Sequence, residues 1–561
     1  MEYTGAQILI KVLEEEGVDT IFGYPGAAVI DIYDELENTD IRNILVRHEQ
    51  GAVHAADGYA RAGDRVGVVL VTSGPGATNT VTGIASAYSD SIPMVVITGQ
   101  IPTPLIGNDA FQEVDIVGIT RPCCKHNYLI KDIKNLAKTV KEAFFIARSG
   151  RPGPVLIDIP KDIQNQVYHY RTPKEIKLRS YNPTYNPNIR QLSKVVEMIK
   201  GAQRPLILAG GGIVLSKAAD ELACLACKTK SPVTGTLMGL GGYPGSDPLW
   251  LGMLGMHGTY RANMATSECD LLISIGCRFD DRVAGRVDTF AANAKIVHID
   301  IDPTSIHKNV TVDVPVVGDC RITLNLLNDL LEAEDLGNLA EKRKPWMDKI
   351  RAWKDTNPLA YRQDAIIKPQ FVIEKLHELT EGKAIITTEV GQNQMWAAQY
   401  YHFDKPNHFI TSGGLGVMGF GLPAAIGAQF ACPDKTVVDI AGDGSIQMNI
   451  QEMATAIQYG LPVKVVILNN RYLGMVRQWQ DLFYDKRYAG TVMEAQPDFV
   501  KLAEAYGALG LRAEKPEEVA AVLKEGLASN RTVIMEFVVE REENVYPMIP
   551  AGKSLTGMLL V

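Results

Sequence analysis

Short runs rich in valine and isoleucine recur along the chain and alternate with longer amphipathic stretches. Several of these runs end in Gly, Asn or Asp, which is typical of strands buried on both faces of a parallel sheet. The pattern therefore predicts an α/β fold built from doubly wound parallel sheets. The predicted strands cover residues 66–72, 93–98, 155–159, 206–209, 271–275, 296–301, 384–388, 436–441 and 463–468.

Two polar segments interrupt this alternation. Residues 168–190 contain several prolines, and residues 332–363 are highly charged, with the run 342–345 (KRKP) suited to an exposed connection. At roughly 100–200 residues per domain, the chain has room for about three domains. We expect domains at 1–167, 190–330 and 365–545, followed by a C-terminal tail at 546–561. The stretches VVLVTSGPG and VVDIAGDGS echo each other, which suggests two similar domains around a different middle one.

Bulk composition narrows the function classes. Apolar residues make up 46% and charged residues 22% of the chain, the net charge is −9, and no basic cluster is evident, so nucleic acid is not an expected partner. The N-terminal stretch is too acidic for a targeting peptide, and no apolar run reaches the ~18 residues that a membrane helix needs. We therefore expect a cytoplasmic protein that does not enter a membrane.

The eight cysteines do not form the pattern of a disulfide framework. Cys224 and Cys227 are spaced as C-x-x-C, but their segment is typical of a helix, and no second pair stands at zinc spacing. We expect ordinary buried thiols in a reducing compartment.

The sharpest motif is a Gly-Asp-Gly-Ser turn at 442–445 followed by the Asn469-Asn470 pair. Each group directly follows a predicted strand, and positions 445–468 leave room for a helix and a strand between them. If the two strands are neighbours, Asp443 and Asn470 meet at the carboxyl edge of the sheet. Mg²⁺ takes a few oxygen ligands from protein and the rest from phosphate and water. The turn also lets the backbone approach a diphosphate closely.

With these motifs, the sequence resembles the catalytic subunits of the acetolactate synthase family, which depend on thiamine diphosphate. The matching stretches include FGYPGAAVIDIYD, RHEQGAVHAADGYARA, TSGPGATN, DAFQEVDIVGIT, GRPGPVLIDIPKD, LGMLGMHG, GCRFDDRVAG, GGLGVMGFGLPAAIG, AGDGSIQMN and LNNRYLGMVRQWQ. The resemblance implies a pyrimidine-binding first domain, a central FAD-binding domain and a third domain that binds the diphosphate.

The resemblance also implies the residues that hold thiamine diphosphate and magnesium. Asp443, Asn470 and the main-chain carbonyl of Tyr472 would bind the metal. Gly416 and Met418 would hold the aminopyrimidine through their main chain, and the Met418 side chain would wedge the cofactor into a bent shape. The side-chain amide of Asn393, where the family often has histidine, would donate to a phosphate. The further expected contacts are Pro25, Pro75, Asn79, Gly391, Gln392, Gly442, Gly444, Ser445, Gly474 and Met475.

Glu49 is the expected proton handler, because its carboxylic acid would hydrogen-bond a ring nitrogen of the aminopyrimidine. The other candidate catalytic residues are Gln112, near the reacting centre, and Lys161, in the family's substrate-access region. The reaction implied is decarboxylation of pyruvate and transfer of the two-carbon unit to a second 2-keto acid, either pyruvate or 2-ketobutyrate. Arg282 would pair with the carboxylate of that second acid, and Trp479 would select its side chain.

FAD is implied although the net reaction is not a redox reaction. The triple glycine at 210–212 alone fits an ordinary strand-to-helix turn, and Cys277 stands where the family more often has a small residue. The expected FAD contacts are Arg151, Gly210, Gly211, Gly212, Gly255, Met256, His257, Gly276, Arg278, Asp280, Arg282, Asp300, Ile301 and Asp319.

Three alternatives remain open at this point. A pyruvate oxidase-like enzyme would also use thiamine and FAD, but the RFDDR and QWQ motifs favour acetolactate synthase. Glyoxylate carboligase lacks the glutamate found here at Glu49. An inactive nucleotide-binding or regulatory protein would have had no need to keep Glu49, Asp443 and Asn470. The resemblance further implies a homodimer or tetramer, with Glu49 facing the partner chain's diphosphate site, and a separate small regulatory subunit.

Overall fold

Three six-stranded sheets, each fully parallel, organise the computed structural model, which describes residues 2–172 and 176–560. The predicted α/β fold with three parallel-sheet domains is therefore confirmed, and a strand is present at each of the nine predicted positions. Residue 1 of the first expected domain, residues 173–175 of the first expected linker and residue 561 of the expected tail lie outside the described residues.

The first domain contains the strands β1 (Glu2–Thr4), β2 (Thr20–Tyr24), β3 (Arg42–Leu45), β4 (Gly67–Val71), β5 (Met94–Gln100), β6 (His126–Leu129), β7 (Pro154–Pro160) and β8 (Val167–His169). Its helices are α1 (Gly5–Glu15), α2 (Ile30–Leu36), α3 (Glu49–Gly63), α4 (Pro75–Thr78), α5 (Val81–Asp90), α6 (Ile116–Thr120), α7 (Ile133–Arg148) and α8 (Lys161–Asn165). The sheet order is β3-β2-β4-β5-β7-β6, and β1 pairs with β8 separately. Every residue of β5 and β7 is buried, which explains why these strands are mostly apolar.

The middle domain contains the strands β9 (Pro205–Ala209), β10 (Val233–Gly235), β11 (Trp250–Met253), β12 (Leu271–Ile275), β13 (Lys295–Asp300) and β14 (Val314–Val317). Its helices are α9 (Ile189–Gly201), α10 (Gly211–Leu215), α11 (Ala219–Thr229), α12 (Tyr260–Glu268), α13 (Asp281–Ala284) and α14 (Cys320–Glu332). The strand order, β11-β10-β9-β12-β13-β14, reverses direction between β9 and β12. This is the order of dinucleotide-binding folds, whose ligand lies at that switch point.

The third domain follows helix α15 (Leu339–Thr356). Its strands are β15 (Ile385–Thr388), β16 (Phe409–Ile410), β17 (Val437–Gly442), β18 (Lys464–Asn469), β19 (Leu509–Ala513) and β20 (Val533–Val538). Its helices are α16 (Pro369–Thr380), α17 (Gln392–Tyr400), α18 (Gly421–Ala431), α19 (Met453–Gln458), α20 (Gly474–Phe483), α21 (Phe499–Tyr506) and α22 (Pro516–Ala528). The order β16-β15-β17-β18-β20-β19 repeats that of the first domain, as the echoed sequence stretches suggested.

Helix α15 corrects one expectation, because it occupies the charged segment expected to be an exposed connection. Its Trp346 and Ile350 are buried against the middle domain. Arg343, in the run expected to be exposed, is fully buried and donates to the carbonyl of Ile199 at 2.5 Å and to the hydroxyl of Ser231 at 3.2 Å. A buried guanidinium needs such acceptors, which no local pattern could reveal.

The first and third domains contact each other through α3 and α18. A Cβ atom on Gly58 of α3 would overlap the main chain of Ala424, and one on Gly427 of α18 would overlap the carbonyl of Ala55. The two helix backbones are therefore in direct contact. Helix α3 begins with Glu49, and α18 begins just after the expected aminopyrimidine contacts.

The cysteines and the membrane expectation can be compared with the structure. All eight thiols are free, and Cys224 and Cys227 lie on helix α11 as predicted. The expectation of buried thiols is wrong for Cys227, which is exposed, because its position on the helix faces away from the core. Within residues 2–172 and 176–560, no helix is both long and apolar enough to cross a membrane.

Candidate active site

The Asp443 turn and the Asn470 turn lie side by side at the carboxyl edge of the third sheet. Strand β17 ends at Gly442, β18 ends at Asn469, and the two strands are paired neighbours. The main-chain N–H of Asn470 donates to Oδ1 of Asp443 at 3.4 Å. The Oδ1 atom of Asn470 accepts a hydrogen bond from the N–H of Tyr472 at 3.0 Å, which holds Tyr472 close to the Asn470 side chain. Asp443 and Asn470 are thus brought together at this edge, with Tyr472 hydrogen-bonded to Asn470.

The Asp443 carboxylate suits a cation. It is 1% exposed, and the groups that donate to it, the amide of Gln496 and the N–H of Asn470, carry no charge. Burial raises the pKa of Asp443 to about 6, because no cationic group compensates for its desolvation. A divalent ion placed here would supply that missing charge, so the residues present fit a magnesium site.

Glycines stand at two positions beside Asp443 where a larger residue would clash with neighbouring side chains. A Cβ atom on Gly444 would come 2.7 Å from Cδ2 of Leu473, and one on Gly474 would come 2.8 Å from the Asn470 amide and overlap the Gln392 amide oxygen. Gln392 begins α17, directly after β15, and its Oε1 accepts from Nδ2 of Asn470 at 3.2 Å. The turns after β15 and β17 flank the switch point of this sheet, where ligands of α/β folds bind. They fit a diphosphate held by main-chain N–H groups.

Asn393 departs from its expected role. Its side-chain amide donates to the carbonyl of Glu389 at 3.0 Å and to the carbonyl of Ile440 at 2.8 Å. Both amide hydrogens are therefore used within the protein, and none is left for a phosphate in this arrangement. The amide instead ties the turn after β15 to the end of β17.

The segment with Gly416 and Met418 leads into α18 and is held from several sides. Gly416 has a φ of +74°, which favours glycine. The N–H of Val417 donates to the hydroxyl of Ser412 at 3.1 Å. The fully buried Glu389 accepts the N–H groups of Gly419 at 2.6 Å and of Leu422 at 3.2 Å. Burial raises the pKa of Glu389 to about 7.

Glu49 lies at the corresponding edge of the first sheet. It is the first residue of α3 and is half-buried. Its Oε2 accepts from Nδ2 of Asn79 at 3.0 Å, and a Cβ atom on Gly76 would come 3.3 Å from its Oε1. The expected contacts Pro25 and Pro75 follow β2 and β4, which flank the switch point of this sheet. Glu49, Asn79 and the Pro75 turn therefore lie close together at this edge.

Gln112 and Lys161 border the same corner. Gln112 has a φ of +60°, and its Cβ would lie 2.8 Å from a Cβ on Gly74, so it lies directly over the turn that leads to Pro75. The Lys161 ammonium donates to the carbonyl of Ala27 at 2.7 Å and pairs with Asp31 at 3.1 Å. Lys161 therefore lies next to the loop that begins at Pro25.

The expected FAD residues follow the strands of the middle sheet at its carboxyl edge. Gly210 and Gly276 follow β9 and β12, at the switch point. The N–H of Gly212 donates to the carbonyl of Gly276 at 3.0 Å, and a Cβ on Gly212 would come 2.6 Å from the Cα of Gly276. Two turns packed this closely expose main chain and no side chains, which fits the approach of a dinucleotide diphosphate. Gly211 begins helix α10 directly after Gly210, Asp300 is the last residue of β13 and Ile301 follows it, and Asp319 lies just after β14.

The remaining FAD candidates extend this edge. The N–H of Met256 donates to the carbonyl of Arg282 at 2.8 Å, which joins the turn of Gly255 to helix α13, capped by Asp280. Burial lowers the pKa of His257 to about 4, so its ring is neutral near pH 7. Burial raises the pKa of Asp300 to about 6. Arg278 lies on the edge too, half-buried, and buried Cys277 accepts a hydrogen bond from His298 at its carbonyl.

Four candidate residues remain, and of these Arg282 is exposed while the other three are half-buried. The Arg282 side chain is 62% exposed and pairs with its neighbour Asp281 at 3.3 Å. Trp479 is half-buried on α20, with its ring edge-to-face against Phe483 at 5.5 Å. Met475 begins the same helix. Arg151 pairs with Asp302 at 3.2 Å rather than with Asp300, and it also donates to Ser91.

Sequence reasoning missed several residues that hold the site. Gln496 contacts Asp443 from a distant loop, and Glu452 accepts the N–H groups of Arg47 and His48 at 3.0 Å, just before Glu49. The hydroxyl of Thr72 accepts the N–H of Ala28 at 3.4 Å. Thr72 belongs to the TSGPGATN stretch, and Glu389 stands between a strand and the Gly391 turn, so their positions could have marked them. Gln496 and Glu452 carry no local signal.

Comparisons with known proteins agree with this arrangement. Three family models match successive parts of the chain. These are "Thiamine pyrophosphate enzyme, N-terminal TPP binding domain" over residues 3–119, the central domain of the same enzymes over 192–327, and their C-terminal TPP binding domain over 389–537. The first and third matches contain the two edges that hold Glu49 and Asp443.

Curated relatives match over nearly the whole chain. The acetolactate synthase large subunit of Haemophilus influenzae is 49% identical over 99% of this chain and 98% of its own length. The acetolactate synthase isozyme 3 large subunit of Escherichia coli is 50% identical over the same shares. A probable acetolactate synthase large subunit of Methanocaldococcus jannaschii is 48% identical over 99% of this chain and 95% of its own length.

Proposed function

This chain belongs to the thiamine pyrophosphate enzymes and, among them, to the acetolactate synthase large subunits, and we propose that it catalyses the acetolactate synthase reaction with Mg²⁺ and FAD as further cofactors. It decarboxylates pyruvate and transfers the two-carbon unit to pyruvate or 2-ketobutyrate. The products are 2-acetolactate and 2-aceto-2-hydroxybutyrate, which serve valine, leucine and isoleucine biosynthesis. The observation that carries the proposal is the buried Asp443 carboxylate, which lies beside Asn470 and has no cationic partner among residues 2–172 and 176–560.

The protein's contribution is to position groups and to hold protons. Thiamine diphosphate, when bound, supplies the electron sink that makes loss of carbon dioxide possible. Asp443, Asn470 and the carbonyl of Tyr472 would hold the metal, and the turns at Gly391 and Gly444 would hold the diphosphate. Glu49, fixed through its Oε2 by Asn79, presents Oε1 for exchange of a proton with the aminopyrimidine. Gln112 and Lys161 would line the approach of the 2-keto acids.

The middle domain is proposed to bind FAD at the switch point between β9 and β12. In this proposal Arg282 would pair with the second acid's carboxylate and Trp479 would contact its side chain. The domain boundaries 1–167, 190–330 and 365–545, with the tail 546–561, belong to the same proposal. The three sheets lie within those ranges.

The assembly is proposed on similar grounds. The relatives are named as large subunits, which supports a separate small regulatory subunit for this chain. A homodimer or tetramer in the cytoplasm is proposed, with Glu49 of one protomer serving the diphosphate site of its partner. Glu49 and Asp443 are held by different domains, an arrangement suited to a shared site.

The direct test is incubation of the purified protein with pyruvate, Mg²⁺ and thiamine diphosphate, followed by acid treatment and a colour reaction for acetoin. Colour that depends on both cofactors is the expected result. A matched incubation with an added electron acceptor distinguishes the pyruvate oxidase-like alternative. Pyruvate consumption that strictly requires the acceptor, without acetoin, would overturn the proposal.

A further inference from the structure

The main chain at Gly413 and Gly414 lies where all three domains meet. A Cβ atom on Gly413 would overlap Sδ of Met238 in the middle domain, and one on Gly414 would come 2.9 Å from Cβ of Ser89 in the first domain. These glycines lead directly into Gly416 and Met418, the expected aminopyrimidine contacts. The position of Gly413 and Gly414 therefore determines where Gly416 and Met418 lie.

Asp90 holds both glycines. It is the last residue of α5, and its side chain is fully buried. One carboxylate oxygen accepts the N–H of Gly413 at 3.0 Å, and the other accepts the N–H of Gly414 at 2.7 Å. Only a carboxylate can accept two neighbouring N–H groups in this way, because an amide would present hydrogens to one of them.

Arg61 holds Asp90 in turn. Its Nη2 donates to the Asp90 carboxylate at 3.0 Å, and its Nη1 donates to the carbonyl of Thr411 at 2.9 Å. Its Nε pairs with Asp57 of the same helix at 2.6 Å. Burial disfavours the charged guanidinium, but the carboxylates of Asp57 and Asp90 outweigh that effect and raise the pKa of Arg61. The guanidinium therefore keeps its charge, and it links Asp90, which holds Gly413 and Gly414, to the carbonyl of Thr411.

Asp57 differs from Asp90 in one respect. Both are buried partners of Arg61, but Oδ1 of Asp57 receives Arg61, while its Oδ2 has no hydrogen-bond partner within the described part of the chain. Asp57 thus stabilises the guanidinium without touching the glycine pair. Comparing substitutions of Asp57 and Asp90 can therefore distinguish a contribution of the ion cluster to folding from a contribution to cofactor binding.

We propose that Asp90 is a positioning residue for the aminopyrimidine of thiamine diphosphate, acting through the main chain of Gly413 and Gly414. The inference rests on the proposed function. One residue, Leu415, separates Gly414 from Gly416, so their Cα atoms are at most ~7 Å apart. Leu415 is exposed, so its side chain does little to hold the segment. Before Gly416 the segment is held by Asp90. After Gly416 it is held by the Ser412 hydroxyl, which accepts the N–H of Val417, and by Glu389, which accepts the N–H of Gly419. Loss of the Asp90 anchor leaves the diphosphate site intact and misplaces the contacts to the ring.

The test compares Asp90→Asn with Asp57→Asn in the full-length protein. Thiamine diphosphate is titrated with Mg²⁺ by calorimetry, and Mg²⁺ with inorganic diphosphate is the probe for the diphosphate site alone. Asp90→Asn should weaken thiamine diphosphate binding by ~10-fold or more, since hydrogen bonds to a charged group are lost. It should leave the affinity for inorganic diphosphate unchanged. Asp57→Asn should lower the melting temperature similarly but keep thiamine diphosphate affinity within about twofold of wild type.

Equal losses of thiamine diphosphate affinity in the two variants would overturn the inference and assign Asp90 to folding alone. So would an equal loss of inorganic diphosphate affinity in Asp90→Asn. If Asp90→Asn does not fold, Gly414→Ala replaces it, because its methyl group would press on the Asp90 carboxylate at 2.9 Å in an exposed turn. Wild-type protein that binds no thiamine diphosphate would instead overturn the proposed function.

Discussion

The side-chain amide of Asn79 donates to Oε2 of Glu49 at 3.0 Å, which fixes one carboxyl oxygen and leaves the other beside Gly76. Because a glutamine can accept the same hydrogen bond, Glu49→Gln should keep this geometry and the bound cofactor. It should lose ~10²–10⁴-fold in turnover, the usual contribution of a general acid–base group. Acetolactate formation and thiamine diphosphate affinity, measured on the same preparation, check this. Near-normal turnover would show that Glu49 is not the proton handler.

Asp443 is the only charged member of the expected metal set. Asp443→Ala should abolish Mg²⁺-dependent binding of thiamine diphosphate, because the neutral ligands that remain cannot offset the charge of the ion. The fold should survive, since the substitution removes a buried carboxylate with a raised pKa. Gln496→Ala is the matched control: it removes a neutral contact to the same carboxylate and should weaken binding far less. Unchanged cofactor affinity in Asp443→Ala would contradict the site.

The packed glycine turns of the middle sheet predict bound flavin. Purified protein should carry FAD that is not reduced and reoxidised as an obligatory part of turnover. A Cβ on Gly212 would come 2.6 Å from the main chain of Gly276, so Gly212→Ala should separate the turns and lower the flavin content. Flavin released by denaturation and measured by absorbance gives the content. An active wild-type preparation without flavin and without response to added FAD would refute the assignment.

Trp479 and Phe483 form an edge-to-face pair on α20. 2-Ketobutyrate has one more methylene than pyruvate, a difference worth only ~1–3 kcal/mol in an apolar pocket. Trp479→Leu should therefore reduce the preference for 2-ketobutyrate and leave the reaction with pyruvate largely intact. Phe483→Leu disturbs the same pair from its other side and should leave the product ratio unchanged. Competition between the two acids, with both products quantified, measures the ratio; an unchanged ratio in Trp479→Leu would make Trp479 a scaffold residue.

Asp158 on β7 predicts a dependence of stability on pH. Burial raises its pKa to about 7, while Thr98 and Gln100 donate to its carboxylate. Because the folded state then binds the proton more tightly than the unfolded state does, this group makes the free energy of unfolding fall as pH rises from about 4 to about 7. Asp158→Asn removes this decrease in the free energy of unfolding between about pH 4 and about pH 7. Its melting temperature relative to wild type should increase over this range and level off above it; a constant difference would contradict the raised pKa.

The sequence predicted most of what depends on order along the chain. Asp443 and Asn470 follow two strands that pair directly, so their meeting follows from the turn positions alone. The prolines at 25 and 75, and the glycines at 210 and 276, follow strands that border switch points in the same way. What local order cannot give is the partner of a side chain across the fold. Glu452 lies about four hundred positions from Arg47, whose N–H it accepts, and no spacing rule connects them.

The expectations that were not met have the same origin. The run at 342–345 was expected to be exposed, but the packing of α15 buries Arg343 against two acceptors from the middle domain. The amide of Asn393 was expected to face a phosphate, but two carbonyls at the ends of β15 and β17 take its hydrogens. In both cases the sequence shows a polar side chain that needs hydrogen-bond partners, but the tertiary structure determines which groups those partners are.

The contacts of Gly58 with Ala424 and of Gly427 with Ala55 limit how the chain can vary. At these two positions the helix backbones touch, so even the methyl group of an alanine would force the helices apart. A saturation library over α3 and α18 should therefore be depleted at these two positions even when selected only for folding. Helix α3 begins at Glu49, and α18 begins just beyond Met418. Homologues that keep both glycines should therefore also keep the distance between Glu49 and Met418.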